Sequence, residues 1–348
     1  MKKILYIAEA FDGGVLSFLQ ELTNNLVDQY EITILYGRRQ TSLEQRQTTF
    51  DPRIQLIEIK SFQRALNLNA DYQTYQELKK YLRQIDPDVI HLNSSKAGYL
   101  GRLLPYRKDQ KVFYNPHGYS FLMQGNTHHQ EKIYYLAEKT LGYRTKVQTV
   151  AVGQGEYLQS KKVTNNSILV NNGIDLQAID QIAVNTEISE KAVVTVGRID
   201  VQKNPRLFNQ LAQLYPEKEF VWLGDGPLKD QLTAPNVRIS DWLAHEQIIA
   251  ILKKVQTFVL LSKWEGLPLA LLEAMYCGNY CIVTNVIGNK ELIRDNETGA
   301  VINDLTQLLE AFKCPRAKRQ RLMTNAQREV EKDYNLHKMV QRYCQIYG

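Results

Sequence analysis

Two carboxylates with seven residues between them, Glu265 and Glu273, bracket a Gly-Leu-Pro turn in TFVLLSKWEGLPLALLEAMYCGNYC, residues 257–281. Acids repel phosphate, so beside a ligand they would accept hydrogen bonds from neutral hydroxyls, as on a sugar or ribose. The competing reading is a helix start flanked by two solvated acids. Upstream, the run Gly197-Arg198-Ile199-Asp200-Val201-Gln202-Lys203-Asn204-Pro205 places two cations around a turn. A guanidinium is a planar bidentate donor and an ammonium a mobile point charge, a pairing suited to a diphosphate. The competing reading there is a surface pair with Asp200. His117, in Asn115-Pro116-His117-Gly118-Tyr119, is a third candidate, although a lone histidine is more often structural. Asp12-Gly13-Gly14-Val15 is a fourth, because glycines let a ligand approach the backbone and leave helix N–H groups for an anion. It is not GxGxxG, which argues against a dinucleotide fold.

These residues need elements that end where they stand. Thr257–Leu261 reads as a buried strand and the apolar period turns helical from Leu267 through Leu271, Leu272 and Met275. Pro268 is expected in the first helical turn and Gly278 at the C-cap. The junction 262–268 then presents backbone N–H groups at the carboxyl end of a parallel strand, where open α/β sheets bind ligands. Strands are expected near 3–8, 31–36, 54–59, 89–92, 112–114, 148–152 and 168–170, with helices near 15–27, 72–85 and 130–143. After the polar, turn-rich stretch 173–190 a second series is expected near 192–196, 220–223, 237–239, 258–261, 281–284 and 299–302. The end is helical, with Leu336, Met339, Val340, Tyr343, Ile346 and Tyr347 on one apolar face. Such alternation implies parallel, doubly wound sheets. Asp86-Pro87-Asp88 has DxD spacing but reads as a helix stop.

Glu, seven residues, Glu, with Gly-Leu-Pro inside and Glu-Ala-Met following, resembles the signature of the family 4 (group 1) retaining glycosyltransferases. Gly13-Gly14, residues 88–102, His117-Gly118, Gly197-Arg198 with Lys203-Asn204, Gly224-Asp225-Gly226-Pro227, Ser240–Leu243 and Gly288–Glu291 resemble further family blocks in the expected order. The resemblance spans about residues 3–347. It implies a GT-B fold: two Rossmann-like domains facing across a cleft, residues 1–172 binding the acceptor and 191–348 the nucleotide sugar, with 173–190 between them. The last helix of such folds often crosses back to the first domain, and hinge closure over the donor is expected. By the same resemblance, Gly13 and Gly14 lie beside the donor phosphates and His117 contacts the donor sugar. Arg198, Lys203 and the amides near Gly266, Leu267 and Pro268 stabilise the departing diphosphate without a metal. Glu265 holds the sugar, Glu273 the ribose, and the backbone near Trp242 and Leu243 the base; Trp242 reads equally well as core. The family often carries a second His where Asn93 stands, and residue 93 is assigned no role.

The 348 residues suggest two domains, and 44% hydrophobic with 23% charged residues is ordinary for a globular protein. No apolar run reaches membrane-span length, and Glu9 and Asp12 break the N-terminal one, which points to a cytoplasmic protein. The four cysteines lack metal-ligand spacing. Residues 1–175 carry 22 Lys/Arg against 17 Asp/Glu, the remainder 21 against 20. A basic half suits anionic partners, a membrane surface or phosphorylated substrates; no motif points to nucleic acid. The run from Tyr99 to Lys111 is expected either to rest on lipid or to be ordinary solvated helix, and His128 and His129 to lie in a loop. The expected function is retaining transfer of a hexose, with UDP as the expected carrier, to a glycan or polyprenyl-linked acceptor in capsule or exopolysaccharide synthesis. No cofactor or metal is expected. A GT-B sugar-nucleotide epimerase and a non-catalytic nucleotide-sugar-binding subunit are the alternatives.

Overall fold

Strand and helix alternate throughout the computed structural model, which describes residues 1–37, 49–63, 65–123 and 127–348. The chain divides into two units: Met1–Asn172 with His337–Gly348, and Gly173–Leu336. In the first unit β1 (Lys2–Ala8), β2 (Tyr30–Gly37), β3 (Gln55–Ile59), β4 (Val89–Asn93), β5 (Lys111–Asn115), β6 (Gln148–Ala151) and β7 (Ser167–Leu169) pair in the order β3-β2-β1-β4-β5-β6-β7. In the second, β8 (Val193–Val196), β9 (Phe220–Leu223), β10 (Val237–Ile239), β11 (Thr257–Leu260), β12 (Tyr280–Thr284) and β13 (Ala300–Ile302) pair as β10-β9-β8-β11-β12-β13. Every pairing is parallel. Helices cover both faces of such sheets, so the strands read as near-continuous apolar runs. Leu5, Ile7, Leu92 and Tyr114 centre one core, and Trp222, Val259 and Ile282 the other.

The C-terminal helix, Leu336–Tyr347, buries Leu336, Met339, Tyr343 and Tyr347 along one stripe. Beyond that stripe a chain of polar groups ties it to the first sheet. Asn115 Nδ2 donates to the Tyr343 hydroxyl (2.9 Å), so its Oδ1 accepts from His91 Nε2–H (2.8 Å). With one proton placed on Nε2, His91 Nδ1 accepts from the Tyr347 hydroxyl (2.5 Å), which in turn accepts from Tyr6 (3.1 Å). Burial drives the His91 pKa down to about 4, which keeps the ring neutral and this chain of donors intact.

Several expectations are corrected. The helix after β11 begins at Leu269, and Pro268 occupies its N-cap, not its first turn. Residues 173–190 belong to the second unit and hold a six-residue helix, Leu176–Gln181, capped by Asp175 and anchored by Ile179. That is too short to display an apolar period. His128 and His129 open the helix His128–Arg144 instead of lying in a loop. The basic run after Tyr99 is for the most part not helical: the helix Ser95–Gly101 ends before it, burying Ala97, Gly98 and Gly101, and Arg102 is itself buried on Glu138 (2.7 Å). The helix stop expected at Asp86-Pro87-Asp88, in contrast, is present: Asp86 ends the helix Leu68–Ile85 in the left-handed region, φ 48°.

Candidate active site

Chain order reverses between β1 and β4 in one sheet and between β8 and β11 in the other. Connections leave such a point toward opposite faces, which opens a crevice beyond the carboxyl ends of the strands. In the second unit that crevice is framed by Gly197-Arg198 after β8 and by residues 261–268 after β11. Gly197 and Gly224 sit at φ 136° and 137°, open essentially to glycine alone, and a side-chain carbon on Gly224 would land on the Gly197 carbonyl oxygen. Trp222 Nε1 donates to that same oxygen (2.7 Å), so the ends of β8 and β9 are locked together.

The two loops are then stitched by side chains. Lys203, whose amide donates to Asp200 Oδ1 (3.1 Å), reaches over so that Nζ donates to Glu265 Oε1 (2.7 Å). Ser262 Oγ donates to the same oxygen (2.6 Å), and Gln202 Nε2 donates to Trp264 O (2.9 Å) and Glu265 Oε2 (3.3 Å). The two side chains of the ion pair are 16% and 7% exposed, so water screens it far less than a surface pair. Lys203 and Glu265, expected as separate ligand contacts, are each other's partner in the folded chain. Gly288 packs where a Cβ would strike the Gly266 carbonyl oxygen, which makes it a support for the turn.

No side chain caps the helix Leu269–Tyr276, so the turn Gly266-Leu267-Pro268 leads into amides without a side-chain partner at the carboxyl end of β11. Glu273, one turn along, accepts from His245 Nε2 (2.9 Å) at the start of the helix His245–Lys254. His245 had no sequence signal, because the contact joins two helices. Arg198 is half-buried at the end of β8. Trp242 follows Asp241, φ 58°, and is 64% exposed, which removes it from the core; Leu243 beside it is half-buried.

In the first unit Asp12 caps the helix Gly13–Asn24 by accepting from the Gly13 amide (2.8 Å). Gly13 is at φ 52°, and side-chain carbons built on Gly13 or Gly14 meet nothing within 4 Å, so the turn faces open space. His117 and Gly118 follow β5, both left-handed at φ 51° and 95°. A buried carboxylate, Glu156, holds this bend: Oε1 accepts from the Gly118 amide (2.6 Å) and Oε2 from the Val152 amide (2.9 Å). The His117 ring packs edge-on to Phe18 at 4.7 Å between centroids, and Nε2 lies 3.0 Å from Asn93 Oδ1. Burial, with a smaller contribution from His91, lowers the His117 pKa to about 3. Asn93 and Glu156 are the partners sequence reasoning missed.

Two doubly wound parallel units with ligand crevices at their switch points are the architecture of the GT-B glycosyltransferases. Residues 12–178 match the family described as Glycosyltransferase Family 4, and residues 190–314 that described as Glycosyl transferases group 1. The chain belongs to the group 1, family 4 glycosyltransferases. It is 27% identical over 321 residues, 82% of this chain and 81% of the other, to the UDP-Gal:alpha-D-GlcNAc-diphosphoundecaprenol alpha-1,3-galactosyltransferase of Escherichia coli. It is 26% identical over 376 residues, 99% of each chain, to an uncharacterized 41.2 kDa protein in the cps region of Klebsiella pneumoniae. Anabaena Alr3699/HepE, solved in complex with UDP-glucose, superposes with a TM-score of 0.79 over 99% of both chains at 17% identity, which speaks to the fold alone.

Proposed function

We propose that this glycosyltransferase moves a hexose from a UDP-sugar to a lipid-linked glycan precursor of a bacterial surface polysaccharide, with retention of anomeric configuration and without a metal. The observation that carries this reading is the β8–β11 crevice: Arg198, Lys203 and the uncapped helix start gather positive charge at one strand end, with a carboxylate on each side. Charge developing on a departing diphosphate would be offset there by Arg198, by Lys203 and by the amides after Gly266, groups already in place before the reaction. Glu265 keeps Lys203 in position and offers its Oε2 to donor-sugar hydroxyls, and Glu273 accepts from the ribose. Trp242 and Leu243 meet the base, Gly13 and Gly14 give backbone access to the phosphates, and His117 meets the sugar. Same-face attack, with the leaving phosphate taking the acceptor proton, needs no dedicated base. The UDP carrier and the lipid-linked acceptor are supported by the E. coli relative, a galactosyltransferase for UDP-Gal and a diphosphoundecaprenol-linked acceptor. The basic balance of residues 1–175 and the exposed Ile133 and Leu136 on the helix His128–Arg144 favour work at the inner membrane surface. No helix among the described residues is long and apolar enough to cross a membrane.

The test is thermal shift of the purified protein against UDP, GDP, dTDP and NAD in chelator, since specific binding raises apparent stability. Stabilisation by UDP that disappears in Arg198→Ala is expected; stabilisation by NAD alone would overturn the reading. Product analysis by NMR then reports the anomeric configuration, and incubation with donor alone separates transfer from epimerisation.

A further inference from the structure

Asn93 terminates β4 at the switch point of the first sheet, fully buried, with Nδ2 donating to the His91 carbonyl (3.1 Å). That bond fixes the amide orientation, because only the NH2 side can donate to a carbonyl. The other end, Oδ1, is therefore an acceptor 3.0 Å from His117 Nε2, and Nε2 must carry the proton. A neutral imidazole holds one N–H, which leaves Nδ1 as a bare lone pair. Among the described residues nothing donates to that lone pair. Glu156 holds the bend at His117-Gly118 and the ring packs edge-on to Phe18, so turning the ring to present its N–H would sacrifice the bond to the buried Asn93 Oδ1.

We propose that Asn93 is a positioning and specificity-determining residue: it fixes His117 as the Nε2–H tautomer, so that His117 meets its ligand only as a hydrogen-bond acceptor and selects a donor sugar bearing a hydroxyl there over one bearing a carboxylate. The tautomer follows from the first unit alone; the selection rests on the reading above in which His117 contacts the donor sugar. A ring that accepts pairs with O–H and repels a carboxylate, whereas an imidazolium donates to a hydroxyl oxygen and to a carboxylate alike, so the discrimination is lost. Asn93→Asp would put a negative charge against Nε2–H, favour the doubly protonated ring and convert Nδ1 into a donor.

Long-range 1H–15N NMR of the full chain, with His117→Gln for assignment, decides the tautomer. His117 should show an unprotonated Nδ1 and a protonated Nε2 at neutral pH; a protonated Nδ1 would overturn the proposal. The unmodified protein answers this even if Asn93→Asp does not fold. In kinetics, Asn93→Asp is expected to lower the kcat/KM ratio of UDP-hexose over the matching UDP-hexuronic acid by at least about tenfold, with Nδ1 becoming protonated in the same variant. An unchanged ratio in a variant whose Nδ1 has become protonated would remove the selection role while hexose transfer itself still stood. Absence of transfer by the unmodified protein from every donor would instead sink the parent reading, and with it the selection; the tautomer would still be decided by the spectrum.

Discussion

Glu265 looks from its sequence like a carboxylate waiting for a sugar, yet it already accepts from Lys203, Ser262 and Gln202. That arrangement makes the Lys203–Glu265 pair a preorganised unit, and single substitutions should act through the partner left behind. Lys203→Ala strands a buried carboxylate and should cost about 1–3 kcal/mol of stability in addition to activity. Glu265→Gln keeps shape and loses the charge, so kcat should fall by about a hundredfold or more with a smaller change in melting temperature. Urea titration with steady-state kinetics on both variants checks this, and equal stability loss without a kcat effect would make the pair structural only. Trp242→Ala should raise the KM for the nucleotide sugar and leave stability nearly unchanged, because the side chain is largely exposed.

At the scale of elements, glycines and one buried ion pair set how closely neighbours approach. Gly224→Ala combines a left-handed φ with a clash against the Gly197 carbonyl oxygen and should lower stability by about 2 kcal/mol or more while displacing Arg198. Arg102 and Glu138, 2% and 0% exposed, join the end of the helix Ser95–Gly101 to the helix His128–Arg144, and the Tyr114 hydroxyl donates to the same carboxylate (2.8 Å). Arg102→Met would leave Glu138 buried opposite a thioether and should destabilise the protein by about 3–5 kcal/mol, whereas replacing both residues with apolar ones should recover much of that loss. Chemical denaturation of the single and double variants measures the difference. Neither Arg102 nor Glu138 is distinguishable in the chain from a solvated charge, since the residues lie on separate helices.

For the whole molecule, the chain of donors from Tyr6 to Tyr343 makes stability of the first unit depend on a neutral His91. The unfolded ring takes up a proton near pH 6.5 while the folded one resists until about pH 4. Stability contributed by the neutral ring is therefore complete above pH 6.5 and declines as pH falls toward 4, by about 3 kcal/mol in all. Scanning calorimetry from pH 8 to 4 should show the first unit losing melting temperature in that window, with His91→Phe flattening the slope. An unaltered slope in that variant would assign the acid sensitivity to other groups.

Strand positions were legible because parallel strands buried on both faces must be short apolar runs, as Phe220–Leu223 and Thr257–Leu260 are, and because glycines and proline punctuate the turns between them. The same local chemistry marked Arg198, Lys203, Glu265 and the turn at 266–268, since a strand end running into a helix start is written in consecutive residues. Partnership was not legible. Asn93 stands 24 residues from His117, and Lys203 is 62 residues from Glu265. Nothing in their types says that they meet, because hydrogen-bond partners are chosen by which strands become neighbours. The chain thus determined by itself where its strands end and which chemical groups stand there. Tertiary structure alone decided which group holds which, because strand order in a sheet depends on long-range packing that local periodicity does not encode.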